Sequence, residues 1–202
     1  MLEGLDGAGT TTQARLLGER LRGAGRVAHV TAEPSGGPVG ALVRQVLTAR
    51  VSGRPGERLD PAALALLFAA DRIDHFEVEI APKLAAGVDV VSDRFTLSSL
   101  AYQGLDLGDM DWVEAVNGRA AAPDVVLFLR VRAEVAMRRR KAASLDRELF
   151  EVEAFQRKVA RSYETAMERL RRAGQQVVEL DGEAPVDAVA ATIWAAVEEL
   201  GG

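Results

Sequence analysis

The alternation of strand and helix patterns along these 202 residues predicts an α/β fold. Short apolar runs bounded by turn residues recur along the chain, and each is followed by a segment with helical spacing. A glycine-rich loop over residues 4–12 joins the first apolar stretch to the first helical pattern. We therefore expect a three-layer α/β/α arrangement, in which helices cover both faces of a mostly parallel sheet of about five strands.

The elements follow in order. The predicted strands lie at 1–2, 27–31, 88–93, 124–129 and 176–180. The predicted helices lie at 11–24, 39–47, 61–86, 95–105, 109–121, 133–141, 149–173 and 186–200. Asp60 and Pro61 suit an N-cap and a first helical position. The first strand is short, since a buried strand usually has about five or six residues, so either it is stunted or the true start lies upstream.

Composition limits the classes of function. Lys and Arg number 25 against 30 Asp and Glu, so the net charge of −5 gives no basic field for nucleic acid. The absence of cysteine excludes disulfides and thiolate metal sites. No apolar run reaches the roughly 20 residues of a membrane span, and the first residues do not resemble a signal peptide. We expect a soluble, cytoplasmic protein with no membrane partner, folded as one domain over 1–202.

The loop at 4–12 follows the pattern of a phosphate-binding loop, with one departure. Such loops have a glycine, four residues, a second glycine, lysine, and serine or threonine. Gly4 and Gly9 are the two glycines, Thr11 supplies the hydroxyl, and Thr10 stands at the lysine position. Glycines let backbone N–H groups turn toward a phosphate, and the next helix points its positive end there. The alternative is a strand-to-helix turn that binds nothing.

Two further stretches lie where strands of the predicted sheet end. Glu33-Pro34 follows the second strand, and Asp93-Arg94 follows the third. In parallel α/β sheets, ligands bind at the carboxyl ends of the strands. The loop at 4–12, Glu33 and the Asp93-Arg94 pair should therefore converge on one site.

The segment 91–103, VSDRFTLSSLAYQ, resembles the signature segment of thymidylate kinases, which phosphorylate dTMP to dTDP. Three other stretches agree with that family in order and spacing: 4–9 (GLDGAG), Glu33-Pro34, and 67–72 (LFAADR). The resemblance extends over essentially the whole chain. It implies a P-loop kinase that uses ATP and dTMP as substrates and Mg²⁺ as cofactor, and that forms a homodimer.

The resemblance assigns a set of residues to dTMP. Phe68 matches the aromatic that stacks on thymine, and Arg72 matches the arginine at the base edge. Ser98 and Ser99 resemble contacts to thymine and its surroundings, and Tyr102 matches the tyrosine beside the ribose. The alternatives are a core aromatic for Phe68 and packing against the sheet for Tyr102. A core position is disfavoured for Arg72, because a buried arginine needs a partner.

Other residues are matched to phosphate groups and hydroxyls. Arg94 resembles the arginine that holds the dTMP phosphate, and Arg44 resembles a second one, although an exposed helix charge is the alternative. Guanidinium groups suit phosphate oxygens. Asp6 matches the acid that binds the sugar 3′-hydroxyl, and Glu33 resembles a glutamate that faces the metal or the acceptor.

The ATP and metal sites are assigned to the loop and the end of the third strand. The residues implied to bind ATP are Gly4, Leu5, Asp6, Gly7, Ala8, Gly9, Thr10, Thr11 and Thr12. Thr11 and Asp93 are implied to hold magnesium. The residues implied to act in catalysis are Arg94, Asp93, Arg138, Arg139 and Arg140.

The family has two arrangements, with an arginine in the phosphate loop or basic residues in a lid. Gly7 occupies the loop position, so this chain resembles the lid type, with the lid at about 138–150. Basic residues in and around the lid are Arg138, Arg139, Arg140, Lys141 and Arg147. A solvated helix face is the alternative for any one of these charges.

Thr10 is the main departure from the family. Loss of one preorganised charge contact typically costs about 10²–10³ in rate. Either a lid arginine compensates and the enzyme works, or the protein binds dTMP and ATP with weak or no catalysis. A third hypothesis is a related kinase for another nucleoside monophosphate or for deoxynucleosides. Smaller departures are Ala32, Ser35 and Arg130.

Overall fold

The computed structural model describes residues 1–52, 58–142 and 149–200. It contains a sheet of five parallel strands in the order β2-β3-β1-β4-β5. The strands are β1 (Leu2–Gly4), β2 (Ala28–Ala32), β3 (Asp89–Asp93), β4 (Val126–Arg130) and β5 (Val177–Asp181). The predicted α/β class with a five-stranded parallel sheet is confirmed.

Two groups of helices cover the sheet. The helices are α1 (Thr10–Gly23), α2 (Pro38–Leu47), α3 (Pro61–His75), α4 (Ala81–Ala85), α5 (Thr96–Leu107), α6 (Met110–Val116), α7 (Ala133–Ala142), α8 (Leu149–Arg172) and α9 (Val186–Glu198). Helix α1 packs with α9, and α5 packs with α8 and α3, while each group contacts β1 and β5. None of the described helices has the length and apolarity that a membrane crossing requires. Residues 143–148 of the predicted lid lie outside the described residues.

Strand β1 lies at the centre of the sheet, where the strand order reverses. Leu2 is in register with Asp93 of β3 on one side and with Leu127 of β4 on the other. Strand β1 has three residues, whereas each of the other four strands has five. Because ligands bind at such a reversal, the fold places the loop after β1 beside the end of β3.

Two predicted helices differ from those observed. The helix predicted over 61–86 contains a π-helical turn, Phe76–Ile80, between α3 and α4. Pro82 follows that turn, lacks an amide hydrogen and would crowd the carbonyl four residues back, so the helix widens before it. The helix predicted over 109–121 ends at Val116, because Asn117 is its C-cap and Gly118 follows.

Helix α7 packs directly against the loop after β1. Gly7 has a φ of +92°, and a Cβ there would lie 2.2 Å from the carbonyl oxygen of Ala136. Gly9 has a similar φ of +97°, but a Cβ there would meet no atom within 4 Å. Glycine is therefore required at position 7 by the close approach of α7 as well as by backbone conformation.

We predict that Gly7→Ala lowers the free energy of unfolding by about 1–3 kcal/mol more than Gly9→Ala does, because it adds an overpacking cost to the backbone strain that both variants share. Chemical denaturation of the two variants and of the unchanged chain measures the difference. Equal losses of unfolding free energy in the two variants would show that α7 leaves room for a side chain at position 7.

Candidate active site

Two adjacent cavities lie at the carboxyl ends of the strands. The first, called here the loop cavity, has a volume of about 700 Å³ and is lined by residues 6–13 and by Arg139 and Arg140 of α7. The second, called here the Phe68 cavity, has a volume of about 320 Å³ and is lined by Phe68 and Arg72 of α3 and by Tyr102 of α5. Asp6 and Arg94 line both cavities, so these two side chains form a shared wall.

Arg94 is held at this wall by contacts on its backbone and its side chain. Its φ of +73° lies in the left-handed region, which is unfavourable for a residue with a Cβ. The Arg94 amide donates to the Leu2 carbonyl at 2.8 Å, and the Ser92 hydroxyl donates to the Arg94 carbonyl at 2.8 Å. The guanidinium donates to Asp6 Oδ1 at 2.6 Å and lies 5.4 Å from the centre of the Tyr102 ring. The strained backbone conformation thus places the Arg94 guanidinium between the two cavities.

In the loop cavity, side chains outside the loop supply the positive charge. Thr10 is only 6% exposed, and its methyl group lies near Gly4. Arg139 Nη1 donates to the Gly182 carbonyl at 2.7 Å, which ties α7 to the segment after β5. Arg140 is 54% exposed, and its Nη1 lies 3.6 Å from Asp6 Oδ2. Arg138 is exposed and is not among the residues that line either cavity.

Thr11 and Asp93, the residues assigned to magnesium, are in contact. The Thr11 hydroxyl donates to Asp93 Oδ2 at 2.5 Å. Asp93 Oδ1 is buried and has no hydrogen-bond partner within the described ranges. A hydroxyl and a carboxylate with a spare oxygen suit a hard cation. No group of three or more acidic or histidine side chains among the described residues could hold a metal, so magnesium here would depend on ligand oxygens and water.

Arg72 is buried, which contradicts the expectation that an arginine here would lie outside the core. Its side chain is 2% exposed, and its Nη2 donates to Glu33 Oε2 at 2.7 Å and to Ser99 Oγ at 3.0 Å. Asn117 Oδ1 accepts from Nη1. The guanidinium therefore joins α3, the segment after β2, α5 and the end of α6. Its Nε is buried and has no hydrogen-bond partner in the described part of the chain.

The segment after β2 is fixed by buried polar contacts. Asp71 of α3 accepts from the Ser35 amide at 2.8 Å and from the Ser35 hydroxyl at 2.5 Å. His75 Nδ1 lies 3.4 Å from the second Glu33 oxygen, Oε1. These contacts hold Glu33 rigidly beside Arg72, so the Glu33 carboxylate is committed to its arginine partner.

The remaining side chains assigned to dTMP line the Phe68 cavity, with one exception. Phe68 is half-buried rather than part of the core, and Ser98 and Ser99 lie nearby on α5. The Tyr102 hydroxyl accepts from the Asp6 amide at 3.3 Å, and burial raises the pKa of Tyr102 to about 12, so it is a neutral hydroxyl. Arg44 is the exception: it is exposed, and its Nη1 donates to the Pro34 carbonyl at 2.9 Å instead of lining either cavity.

Glu3 and Tyr163 support the site and are absent from the assignments made from sequence. Glu3 is buried, and its Oε1 accepts from the Phe95 amide at 2.8 Å and from the Ser98 amide at 3.3 Å. The Ser98 hydroxyl donates to Glu3 Oε2 and lies 2.9 Å from the Tyr163 hydroxyl. Glu3 could have been found from the sequence, because a carboxylate in a strand that is expected to be buried needs hydrogen-bond partners. Tyr163 lies within a long helix, and its sequence gives no comparable signal.

The three smaller departures from the family, Ala32, Ser35 and Arg130, lie outside the linings of the two cavities. Arg130, at the end of β4, pairs with Glu164 of α8 at 2.5 Å and also with Glu179 of β5. Ser35 makes the contacts with Asp71 described above, and Ala32 is exposed at the end of β2. None of these side chains lines either cavity.

A glycine-rich loop at the switch point of a parallel sheet, beside a basic helix and a second cavity, defines the class of P-loop proteins that bind nucleotide phosphates. The family model for thymidylate kinase matches residues 2–193, and the chain belongs to that family.

Individual relatives agree with this assignment. A putative thymidylate kinase of Aeropyrum pernix is 40% identical over 182 residues, covering 90% of this chain and 84% of the relative. A thymidylate kinase of Thermomicrobium roseum is 40% identical over 207 residues, covering 98% of this chain and 93% of the relative. A thymidylate kinase of a Synechococcus strain is 38% identical over 202 residues, covering 98% of this chain and 92% of the relative.

We predict that Glu3 makes stability depend on pH. Burial raises the pKa of Glu3 from 4.5 to about 7, so the folded state holds one more proton than the unfolded state between these values. The contribution is complete below pH 4.5 and is lost as pH rises to about 7, a change on the order of 3 kcal/mol.

Glu3→Gln keeps an acceptor for the two amides and cannot titrate, so it isolates this effect. The free energy of unfolding of the unchanged chain minus that of Glu3→Gln should fall as pH rises from 5 through about 7 and level off above about pH 8. A difference that is independent of pH would show that the Glu3 carboxyl titrates normally.

Proposed function

We propose that this protein transfers the γ-phosphoryl group of ATP to dTMP, giving dTDP and ADP. The observation that carries the proposal is the wall shared by the two cavities, which consists of Asp6 and Arg94. A donor in the loop cavity and an acceptor in the Phe68 cavity would present their phosphates to the same guanidinium. Membership of the thymidylate kinase family supports the choice of substrates.

ATP phosphates fit the loop cavity for reasons of backbone geometry and charge. The loop ends where α1 begins at Thr10, so the positive end of that helix faces the cavity. Arg94, Arg139 and Arg140 add guanidinium groups to the lining. We assign Thr11 and Asp93 as the residues that would hold Mg²⁺, which would supply positive charge to neutralise the phosphates.

dTMP fits the Phe68 cavity through contacts of several kinds. The half-buried Phe68 ring offers a face for thymine, and Arg72, which lines the same cavity, is the residue that the resemblance assigns to the base edge. Tyr102 lies where it can restrict the ribose, Asp6 can accept from the 3′-hydroxyl, and Arg94 can bind the phosphate. Arg44 remains an assignment to that phosphate made from the resemblance, and it would have to leave its carbonyl partners to act.

The transfer itself needs alignment and charge neutralisation more than acid–base chemistry. The acceptor oxygen of a monophosphate is already an anion, so no general base is required. Holding both substrates against one wall makes the step effectively unimolecular, and cations around the moving group stabilise its charge.

We assign the role of the missing loop lysine to Arg140. Arg139 is engaged by the Gly182 carbonyl, whereas Arg140 is largely exposed and weakly paired at 3.6 Å from Asp6. An approaching anionic phosphate can draw Arg140 inward at little cost, because an exposed ion pair of this length contributes little.

We further propose a homodimer of single-domain chains in the cytoplasm. Helix α3 and the π turn expose large apolar side chains, with Leu66 at 49%, Ile73 at 38% and Val78 at 72%. Large exposed apolar side chains in one region suit a protein interface, which supports the assembly that the family resemblance implies.

The test is dTMP-dependent formation of ADP from ATP and magnesium, measured on this chain and on Thr10→Lys. We expect the unchanged chain to turn over at roughly 1–100 per second, the range usual for kinases. Turnover a thousandfold slower that Thr10→Lys restores would favour a nucleotide-binding protein instead. Faster turnover of UMP or a deoxynucleoside than of dTMP in a substrate panel would contradict the choice of acceptor.

We predict that Arg140→Ala lowers kcat by about 10²-fold or more, because it removes a charge from the transition state. Arg138→Ala is the matched control, since Arg138 lies on the same helix and is exposed, but does not line the loop cavity. It should leave kcat within about twofold, since the usual effect of an exposed side chain is small.

Steady-state kinetics of both variants at saturating ATP measure this difference, and a melting curve of each checks that it is folded. Equal losses in the two variants, or none in either, would mean that Arg140 does not replace the lysine.

A further inference from the structure

A series of hydrogen-bonding groups runs through the interior from Glu3 of β1 to the first glycine of the loop at 4–12. Glu3 Oε2 is hydrogen-bonded to the Ser98 hydroxyl, which lies 2.9 Å from the Tyr163 hydroxyl of α8. The Tyr163 hydroxyl in turn lies 3.0 Å from the Gly4 carbonyl oxygen. All three side chains are buried, with exposed fractions of 1% for Glu3, 9% for Ser98 and 0% for Tyr163. We call these three side chains and the Gly4 carbonyl the Glu3 relay.

Arg94 joins the Glu3 relay at Ser98. Its Nη1 donates to Ser98 Oγ at 3.1 Å, while its Nη2 donates to Asp6 Oδ1 in the wall between the two cavities. The relay therefore reaches two parts of the candidate active site, namely the beginning of the glycine-rich loop and the guanidinium that both cavities share.

The number of hydrogens in the Glu3 relay determines which of its contacts can form together. A backbone carbonyl can only accept a hydrogen bond, and each hydroxyl has a single hydrogen to donate. The Gly4 carbonyl therefore needs the hydrogen of Tyr163, which leaves Tyr163 to accept from Ser98. Since the Ser98 hydrogen is used in that contact, Ser98 can only accept from Glu3.

A protonated Glu3 completes the relay, and an ionised Glu3 breaks it. The protonated carboxyl group has one O–H donor for Ser98, so every contact between Glu3 and the Gly4 carbonyl has a hydrogen. The ionised carboxylate has none, so Ser98 must donate to it, as described above. Either the Gly4 carbonyl then loses the Tyr163 hydrogen, or the contact between the two hydroxyls has no hydrogen.

The surroundings of Glu3 bring its two forms into balance near neutral pH. Burial raises the pKa of Glu3 from 4.5 to about 7, although hydrogen bonds and the charge of Arg94 oppose this rise. Tyr163 is a neutral hydroxyl, because burial raises its pKa well above 10.0. The Met1 amino group in the same strand also titrates in this range, since burial lowers its pKa to about 6.

We propose that Glu3 is a positioning residue that acts in its protonated form, by keeping the Glu3 relay complete and so holding the loop at 4–12 and Arg94 in place for phosphoryl transfer. This inference rests on the proposed function, because the loop and Arg94 are the parts assigned to the two substrates. Glu3 itself touches neither cavity. Turnover should therefore decrease as pH rises and Glu3 loses its proton, although no substrate-binding group is removed.

The experiment measures dTMP-dependent turnover of the unchanged chain and of Glu3→Gln between about pH 6 and about pH 8.5. Glutamine reproduces the contacts of the protonated acid at every pH, because its oxygen can accept from the Phe95 and Ser98 amides and its NH₂ group can donate to Ser98 Oγ. Titration of the substrates or of the Met1 amino group affects both chains and cancels in the ratio of their kcat values.

The ratio of kcat of the unchanged chain to kcat of Glu3→Gln should be about one near pH 6 and should fall by about fivefold or more by about pH 8.5, since one hydrogen bond of the relay is lost. Melting curves over the same range check that both chains are folded. A ratio that is independent of pH overturns the proposal.

Tyr163→Phe separates the relay from a direct effect of the Glu3 charge on Arg94. This variant removes the hydroxyl that links Ser98 to Gly4 and leaves the other groups in place. Its turnover should be lower than that of the unchanged chain below pH 7, and its ratio to the double variant Glu3→Gln/Tyr163→Phe should not depend on pH. A ratio that still falls with pH in this background would mean that the Glu3 charge acts on Arg94 directly, which overturns the proposal.

Calorimetric titration with ATP gives a readout that needs no turnover. The affinity of the unchanged chain relative to that of Glu3→Gln should weaken by about fivefold or more across this pH range, because the loop at 4–12 holds the phosphates. Such a dependence in a chain that does not phosphorylate dTMP would contradict the proposed function and support this inference. Equal ATP affinities of the two chains at every pH overturn the inference, whether or not dTMP is phosphorylated.

Discussion

The contact between Asp6 and Arg94 joins the loop after β1 to the end of β3, and the two cavities are separate because this contact exists. Arg94 accepts an unfavourable backbone conformation to make it, and the Leu2 carbonyl, the Ser92 hydroxyl and the Tyr102 ring hold it there. Conformations of this kind persist only where their surroundings determine them. The strand order brings these two loops side by side, so the wall follows from the topology of the sheet.

A second constraint is the buried charge of Arg72. Removing a guanidinium from water is costly, and Glu33, Ser99 and Asn117 offset that cost by satisfying its Nη groups. Since these partners come from different elements, their positions are fixed relative to each other, and the Phe68 cavity acquires a rigid floor. Asp71, the residue before Arg72, also fixes the segment after β2, through its hydrogen bonds with Ser35. Rigid surroundings of this kind reduce the ordering that a ligand must induce on binding.

Sequence patterns predicted the class of fold, the parallel strands and the convergence of the three strand-end segments, because hydrophobic period and turn residues are local properties. They could not predict the burial of Arg72, the raised pKa of Glu3 or the difference between Arg139 and Arg140, since each depends on side chains distant in the chain. Local residues do account for two other differences, since Pro82 follows the π turn and Asn117-Gly118 follows the end of α6. The roles assigned to site residues remain predictions until the variants are measured.

The approach of α7 to Gly7 has a consequence for how this chain can change over evolutionary time. The Ala136 carbonyl occupies the space that any side chain at position 7 would need. An arginine could therefore not enter the loop by a single substitution without displacing the helix that carries Arg139 and Arg140. An arginine in the loop and the present packing of α7 therefore exclude each other sterically in this chain. A lineage with this packing would pass through a poorly folded intermediate before it could replace the arginines of α7 by an arginine in the loop.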